Sequence, residues 1–151
     1  MASSLVKLDV HIMFHVKSTG LNLRVDDLPR IFAYIGGIIN GLGGIQMIVG
    51  GMPDHIHILT SLPPTKALSD FVRTIKADSS KWIKSIDASY SKFAWQDGYG
   101  AFSVSASILD KTENYIRNQA EHHKRRSFND EYRALLEKYG VQYDERYAFS
   151  D

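Results

Sequence analysis

The sequence contains no cysteine, only four prolines and no long apolar run. Without cysteine, disulfide bonds and thiolate metal sites are excluded, so any metal must be held by histidine, carboxylate or amide ligands. No apolar stretch approaches the roughly 18 residues needed to cross a bilayer. The first four residues, Met-Ala-Ser-Ser, lack the layout of a signal peptide. We therefore expect a cytoplasmic protein.

A strong charge of one sign is also missing, since 18 basic and 17 acidic residues give a net charge of +1. This balance excludes a histone-like polycation but permits a local basic face. The 151 residues suffice to bury a substantial core. No internal repeat, low-complexity segment or linker divides them, and we predict one domain spanning residues 1–151.

The periodicity of the apolar residues predicts four strands and four helices. Strands are expected at 6–16, 45–49, 55–60 and 102–107, and helices at 28–42, 68–86, 110–124 and 131–139. An aspartate stands at the predicted start of the first helix (Asp27) and of the third (Asp110), as is typical of N-caps. The order predicts an α+β, ferredoxin-like (RRM-like) fold. Its four-stranded antiparallel sheet would carry two helices on one face, and the tyrosine-bearing helix would follow towards the C-terminus.

Two histidines, His55 and His57, are separated by one apolar residue inside a predicted strand. Side chains alternate across a strand, so both histidines point to the same face while Ile56 and Ile58 point to the core. Paired imidazoles on a rigid strand favour a metal site, although two hydrogen-bonded histidines are an equally simple interpretation. His11 and His15 share the polar face of the first strand, where we expect them to face solvent or to rim a site.

Tyr115 and Gln119 are four residues apart in a predicted helix, so they share one helical face. A tyrosine can act as a nucleophile, and an amide oxygen can complete a metal site begun by two histidines. The phenol has an ordinary pKa of about 10 and must be activated by a metal, a base or the local field. Together these residues favour cleavage of a phosphodiester in DNA. Packing of Tyr115 and solvent exposure of Gln119 remain the alternatives.

Three segments in this order resemble one family, the small HUH single-tyrosine transposases. They are the transposase A enzymes of hairpin-ended insertion sequences that move as single-stranded DNA, and their relatives are the REP-associated tyrosine transposases. The resemblance covers nearly the whole chain, and the matching segments are Gly-Gly-Met-Pro-Asp-His-Ile-His at 50–57, Trp-Gln-Asp-Gly-Tyr-Gly-Ala-Phe-Ser-Val at 95–104, and Tyr-Ile-Arg-Asn-Gln at 115–119 with Glu-His-His at 121–123.

The resemblance implies specific roles for these residues. His55, His57 and Gln119 would ligate Mg²⁺ or Mn²⁺, and Tyr115 would attack the strand to form a 5′-phosphotyrosine with release of a 3′-OH. The family also implies recognition of DNA hairpins and a homodimer, in which the tyrosine helix of one subunit can complete the site of the other.

Basic residues supply candidate contacts to DNA phosphates. They lie on the second helix and after the tyrosine helix, and comprise Arg73, Lys76, Lys84, Lys124, Arg125 and Arg126. A solvated helix face and helix capping would explain the same residues. Trp95 and Tyr99 would either stack on unpaired bases or pack in the protein.

Three other functions were weighed against this one. An HUH replication initiator or relaxase would share the chemistry but act on a different substrate. A catalytically silent or domesticated hairpin-binding protein would need neither the metal nor the tyrosine. A histidine-triad nucleotide hydrolase would require a third alternating histidine at the position occupied by Leu59, which excludes that function.

Overall fold

A computed structural model describes residues 4–18, 21–124 and 126–151. At its centre is a sheet made of β1 (Asp9–His15), β2 (Gln46–Met52), β3 (His55–Ser61) and β4 (Gly100–Val104). The strand order is β2-β3-β1-β4, and every neighbouring pair is antiparallel. The predicted α+β, ferredoxin-like fold is therefore confirmed.

Two long helices, α1 (Leu28–Gly41) and α2 (Leu68–Ile86), cover one face of the sheet. Each presents a stripe of apolar residues at helical spacing, which is buried against the strands. The sheet contributes the even-numbered residues of β1 and β3 to this core, namely Ile12, Phe14, Ile56 and Ile58, all 0% exposed. Within the described ranges, no helix is both long and apolar enough to cross a membrane.

The opposite face of the sheet is covered by the C-terminal part of the chain. Its helices are α3 (Leu109–Arg117), α4 (Gln119–His122), α5 (Phe128–Lys138) and α6 (Glu145–Ala148). Met13 packs with residues of α5, and Leu59 packs with Ile116 of α3. This layer covers β1 as well as β3, so His11 and His15 do not face solvent: they are 2% and 8% exposed. The other expectation, that they rim a site, holds for His11, whose Nε2 lies 2.7 Å from Nδ1 of His57.

The two predicted aspartate caps differ from the structure. A short 3₁₀ helix, Val25–Asp27, leads directly into α1, so Asp27 has helical backbone angles and caps no helix N–H. Its carboxylate accepts hydrogen bonds from Arg24, Arg30 and the Tyr90 hydroxyl instead. Asp110 lies inside the first turn of α3, because that helix begins one residue earlier, at Leu109.

The predicted helix at 110–124 is not continuous. It is interrupted at Asn118, whose backbone angles are φ −98° and ψ 29°, and resumes as the single turn of α4. Tyr115 and Gln119 consequently lie on two different helices. The interruption changes the direction of the chain directly before Gln119, whose side chain is 2% exposed.

Candidate active site

His55 and His57 lie in β3 on the face covered by α3, α4 and α5, and both are 0% exposed. In the sheet, His57 pairs with Gly50 of β2 on one side and with Met13 of β1 on the other. The two imidazole rings are 5.1 Å apart between centroids. The strand therefore holds both rings side by side in the protein interior.

The outer nitrogen of His55 is fixed by a carboxylate. Nδ1 of His55 lies 2.7 Å from Oδ1 of Asp54, and an ionised carboxylate can only accept a hydrogen bond. In the neutral ring the proton is thus on Nδ1, and Nε2 presents its lone pair to the inside of the site. This orientation of a ligating histidine by a carboxylate is common in metal proteins.

The outer nitrogen of His57 contacts a second histidine. Nδ1 of His57 lies 2.7 Å from Nε2 of His11, and Nε2 of His57 lies 3.0 Å from Oε1 of Glu131. Two tautomers are possible: the Nε2–H tautomer makes both contacts as hydrogen bonds, whereas the Nδ1–H tautomer makes only the one to His11 and turns a lone pair towards Glu131. With the proton on Nε2, His57 donates to Glu131; with the proton on Nδ1, it donates to His11 and presents a lone pair to the site. Only the second tautomer can ligate a cation.

Gln119 reaches the histidine pair from α4. Its Oε1 lies 2.9 Å from Nε2 of His55, while its Nε2 donates to Oε2 of Glu131 at 3.1 Å. A third histidine, His123, lies with its Nε2 3.1 Å from the same amide oxygen. The structure therefore brings together the three residues predicted as metal ligands.

Glu131 lies at the centre of the site, and the sequence analysis missed it. It is 0% exposed, and a ligand atom from each of His55, His57 and Glu131 lies within 4.8 Å of the others. The prediction placed Glu131 at the start of the last helix, where an acidic residue is ordinary. That helix starts at Phe128, so Glu131 falls on its buried stripe, together with Phe128, Tyr132 and Leu136. A carboxylate on an apolar helical face was the available signal.

Tyr115 approaches the same carboxylate from α3. Its hydroxyl donates to Oε2 of Glu131, and its ring lies against His122 at 4.5 Å between centroids. Burial, and then the hydrogen bond to the negatively charged Glu131, raise the pKa of Tyr115 well above its usual value. Arg126 lies close enough to oppose that rise. Tyr115 is thus a protonated phenol in this arrangement.

The remaining pKa shifts in the site agree with neutral imidazoles around an ionised carboxylate. Burial, followed by the neighbouring His57, lowers the pKa of His11 to about 3. Burial also lowers the pKa of His57. For Glu131, burial acts to raise the pKa, but the hydrogen bonds with His57 and Tyr115 prevail and lower it.

The donor set fits a divalent cation. Because Nδ1 of His55 keeps its proton and donates it in a hydrogen bond to Asp54, the Nε2 lone pair and the lone pairs of the Gln119 Oε1 face each other at 2.9 Å. Oε1 of Glu131 adds a negative charge 3.6 Å from the same nitrogen. Converging lone pairs repel one another unless a cation or a shared proton lies between them. Two imidazoles with amide and carboxylate oxygens suit first-row metals such as Mn²⁺, and the oxygens also suit Mg²⁺.

The predicted phosphate contacts lie in two different places. Arg73, Lys76 and Lys84 belong to α2, in the layer on the other face of the sheet from Tyr115. Arg73 pairs with Asp70 at 2.6 Å. Lys76 donates to the carbonyl oxygens of Gln96 and Gly98, and burial lowers its pKa to about 8. The structure therefore does not bring the α2 group to the tyrosine.

The group after the tyrosine helix is nearer the site. Lys124 pairs with Glu121 at 3.0 Å, and both side chains are exposed. Arg126 influences the Tyr115 hydroxyl, whereas Arg125 lies outside the described residues.

Trp95 is in the core rather than available to a base. It is 5% exposed, packs edge-on against Phe14 and donates its indole N–H to Ser79 at 3.0 Å. Tyr99 is half-buried beside the same core. Of the two interpretations, base stacking or packing in the protein, the structure supports packing for Trp95.

Comparison with known proteins identifies the family of this chain. Residues 4–119 match the family described as "Transposase IS200 like". The sequence is 32% identical over 85 residues to the ISDra2 transposase TnpA of Deinococcus radiodurans, and the match covers 53% of this chain and 59% of that protein. The aligned part thus spans less than two thirds of the relative's length.

Two solved structures share the fold. One is a proposed transposase from Deinococcus radiodurans R1, with a TM-score of 0.61 and 22% identity over 79% of this chain and 95% of that one. The other is a REP-associated tyrosine transposase bound to a REP hairpin, with a TM-score of 0.58 and 15% identity over 81% of this chain and 73% of that one.

The family match and the two solved structures therefore agree on a transposase fold for this chain. The match covers well over half of the chain. This chain belongs to the IS200-like transposase family.

Proposed function

We propose that this protein is a DNA transposase that cleaves and rejoins single-stranded DNA at insertion-sequence ends through a 5′-phosphotyrosine on Tyr115. One observation carries the proposal. One oxygen of the Glu131 carboxylate accepts a hydrogen bond from the Tyr115 hydroxyl, and the other contacts Nε2 of His57. The tyrosine proposed as the nucleophile and the proposed metal ligands therefore meet at one carboxylate.

His55, His57, Gln119 and Glu131 would hold the cation, Mg²⁺ or Mn²⁺. When bound, a divalent cation acts as a Lewis acid on the non-bridging oxygens of the scissile phosphate and favours the phenolate. The other parts of the reaction belong to the chain's own residues.

The proton of Tyr115 is the first requirement, because the raised pKa keeps the phenol protonated at neutral pH. Oε2 of Glu131 accepts this hydrogen bond and would receive the proton as the phenolic oxygen bonds to phosphorus, because the raised pKa of Tyr115 and the lowered pKa of Glu131 oppose transfer beforehand. The bond from phosphorus to the 3′ oxygen breaks in the same step. The proton then passes from Glu131 through water to the 3′ oxygen, which leaves as a 3′-OH, and Glu131 is again ionised. The phosphotyrosine conserves the bond energy, so a later 3′-OH can rejoin the strand by the reverse attack.

Hairpin recognition and dimer formation belong to the same proposal. A relative of the same fold was solved with a REP hairpin. The surface also carries large apolar side chains near one end of β3, since Leu8 is 51% exposed and Ile45 is 71% exposed. Hydrogen bonds from Leu62 to Leu8 and from Ser61 to Ile45 place them together. A second copy covering this patch would remove it from water.

The test is formation of a covalent protein–DNA adduct. The protein is incubated with single-stranded DNA that flanks its own gene, with Mn²⁺ or Mg²⁺, and resolved on a denaturing gel. We expect an adduct that is lost with EDTA, with Tyr115→Phe and with His57→Ala, while His57→Ala still binds the hairpin. Hairpin binding without any adduct in the wild type would instead identify a silent binding protein.

A further inference from the structure

A cavity of about 210 Å³ lies beside Tyr115, and His55, His57 and Glu131 are not among its lining residues. It is formed between α3 and α5 over the sheet, with Tyr115 and His11 among its lining residues. Ile108, Leu135 and Tyr139 give it apolar walls. The volume is below the roughly 300 Å³ at which pockets for drug-sized ligands begin. A ligand that fits is therefore small and partly apolar.

Two exposed lysines, Lys111 and Lys138, also line this cavity. No carboxylate lines it, and neither lysine forms an ion pair within 4–18, 21–124 and 126–151. The cavity therefore combines apolar walls with a positive charge from each of its two helices.

The wall formed by Tyr139 is held in place. Its ring stacks on Phe102 with 4.8 Å between centroids and 21° between planes, and Nζ of Lys138 lies 5.6 Å from the Tyr139 centroid. An aromatic ring fixed in this way is a suitable surface for a nucleobase.

We propose that this lysine-rimmed cavity binds one nucleotide of the single-stranded substrate, next to the phosphate attacked by Tyr115. The base and sugar would contact Tyr139 and Leu135, and Lys111 and Lys138 would contact the phosphates on either side. This inference rests on the proposed cleavage of single-stranded DNA. Neither lysine was among the residues predicted from sequence to contact DNA.

The first test measures binding separately from cleavage. Wild type, Lys111→Ala, Lys138→Ala and the double variant are titrated with fluorescent single-stranded DNA in EDTA at several salt concentrations. For each lysine removed, we expect a severalfold weaker affinity and a decrease of about 0.7 in the slope of log K against log salt. Lys92→Ala is the matched control, because Lys92 is an exposed lysine next to Phe93 in the core on the other face.

The second test locates the nucleotide. Methylphosphonates, which are uncharged, replace the phosphates of the DNA one at a time. When a methylphosphonate adjoins the cleavage position, we expect the lysine variants to bind this DNA as tightly as the wild type does, because the pair between lysine and phosphate is already absent. At all other phosphates, the lysine variants should still bind more weakly than the wild type. Thermal unfolding verifies that each variant remains folded.

The outcomes separate the two proposals. Unchanged affinity and salt slope in the double variant, or a loss spread equally over all phosphates, overturns the nucleotide site even if the adduct forms. A localised lysine effect without any wild-type adduct retains the nucleotide site and overturns cleavage. Absence of single-strand binding by the wild type overturns both.

Discussion

At the scale of single residues, the site depends on where the protons of His55, His57 and Tyr115 lie. Asp54 fixes one of them on Nδ1 of His55, and Glu131 accepts another from Tyr115. His57 is different, because its contact with His11 allows two tautomers. In the proposed metal site, we infer that His11 is a positioning residue: as a neutral acceptor, it would stabilise the tautomer in which His57 can ligate a cation.

Substitution of His11 tests this role. His11→Leu removes the acceptor, and we expect Mn²⁺ affinity measured by calorimetry to fall about 10- to 100-fold, as for other outer partners of metal ligands. His11→Gln retains a polar atom for Nδ1 of His57 and should recover part of that loss. Excess Mn²⁺ should restore cleavage by His11→Leu. Equal losses in both variants, or wild-type affinity in His11→Leu, would assign His11 a packing role only.

Sequence patterns predicted some of these residues and missed others. The alternation around His55 and His57 predicted their shared face, because strand geometry fixes it locally. The contacts of His57 with His11 and Glu131 join positions 46 and 74 residues apart, and no local pattern encodes them. Gln119 reaches the site although the helical spacing used to predict it is interrupted at Asn118.

At the scale of elements, the approach of α3 to the sheet positions Tyr115. Gly50 in β2 makes this approach possible, since a Cβ there would lie 3.0 Å from Cγ2 and 3.1 Å from the carbonyl oxygen of Ile116. Ile116 adjoins Tyr115 and is 1% exposed. A glycine at this strand position therefore permits close contact between backbones.

We predict that Gly50→Ala displaces α3 and impairs catalysis more than stability. A displacement of even about 1 Å can reduce a rate about 10²-fold, whereas overpacking of this size costs about 1–3 kcal/mol. Adduct formation rates and urea unfolding measure the two effects. Gly37→Ala is the control, because nothing lies within 4 Å of its Cβ and the helix should gain up to about 1 kcal/mol. Wild-type adduct rates in Gly50→Ala would contradict this account of the α3 contact.

Element types followed from sequence more closely than element boundaries and the second layer. The amphipathic stripe of α2 predicted its bounds, Leu68–Ile86, without error. The strand predicted at 6–16 is shorter, at Asp9–His15, and α6 was not predicted. The layer on the sheet face opposite α1 and α2 depends on α5. The apolar periodicity of α5 is weaker, because its surface is polar and its buried stripe contains Glu131.

At the scale of the whole molecule, α1 is tied to the loop after α2 through Asp27. Hydrogen bonds from Tyr90, and then from Arg24 and Arg30, outweigh burial and lower the pKa of Asp27 from 3.8 to about 2. A lowered carboxyl pKa favours the folded state wherever the unfolded carboxyl is ionised. This stability is therefore fully present above about pH 4 and is lost as the pH falls towards 2.

Asp27→Asn should reduce the free energy of unfolding at pH 7 by about 1.5–3 kcal/mol, the range for hydrogen bonds to a charged group. The difference from wild type should narrow as the pH falls from 4 towards 2. Urea unfolding across this range measures it, with the exposed neighbour variant Asp26→Asn as control. A difference that does not depend on pH would mean that the charge of Asp27 is not the stabilising feature.

The whole molecule also predicts how the active site is assembled. Tyr115, Gln119 and both histidines meet within one chain. Mixing Tyr115→Phe with His55→Ala protein should therefore restore no adduct, even after subunits have exchanged. A mixture of wild type with His55→Ala serves as the active control. Recovery of adduct in the mixed variants would show that the tyrosine acts on the site of a partner subunit.

The most direct measurement is to identify the amino acid that carries the DNA. The adduct formed with Mn²⁺ is digested with nuclease and protease, and the modified peptide is sequenced by mass spectrometry. We expect a nucleotide on Tyr115 and on no other of the eight tyrosines in the chain. A nucleotide on a different residue, or an undiminished adduct in Tyr115→Phe, would contradict the assignment of Tyr115 as the nucleophile.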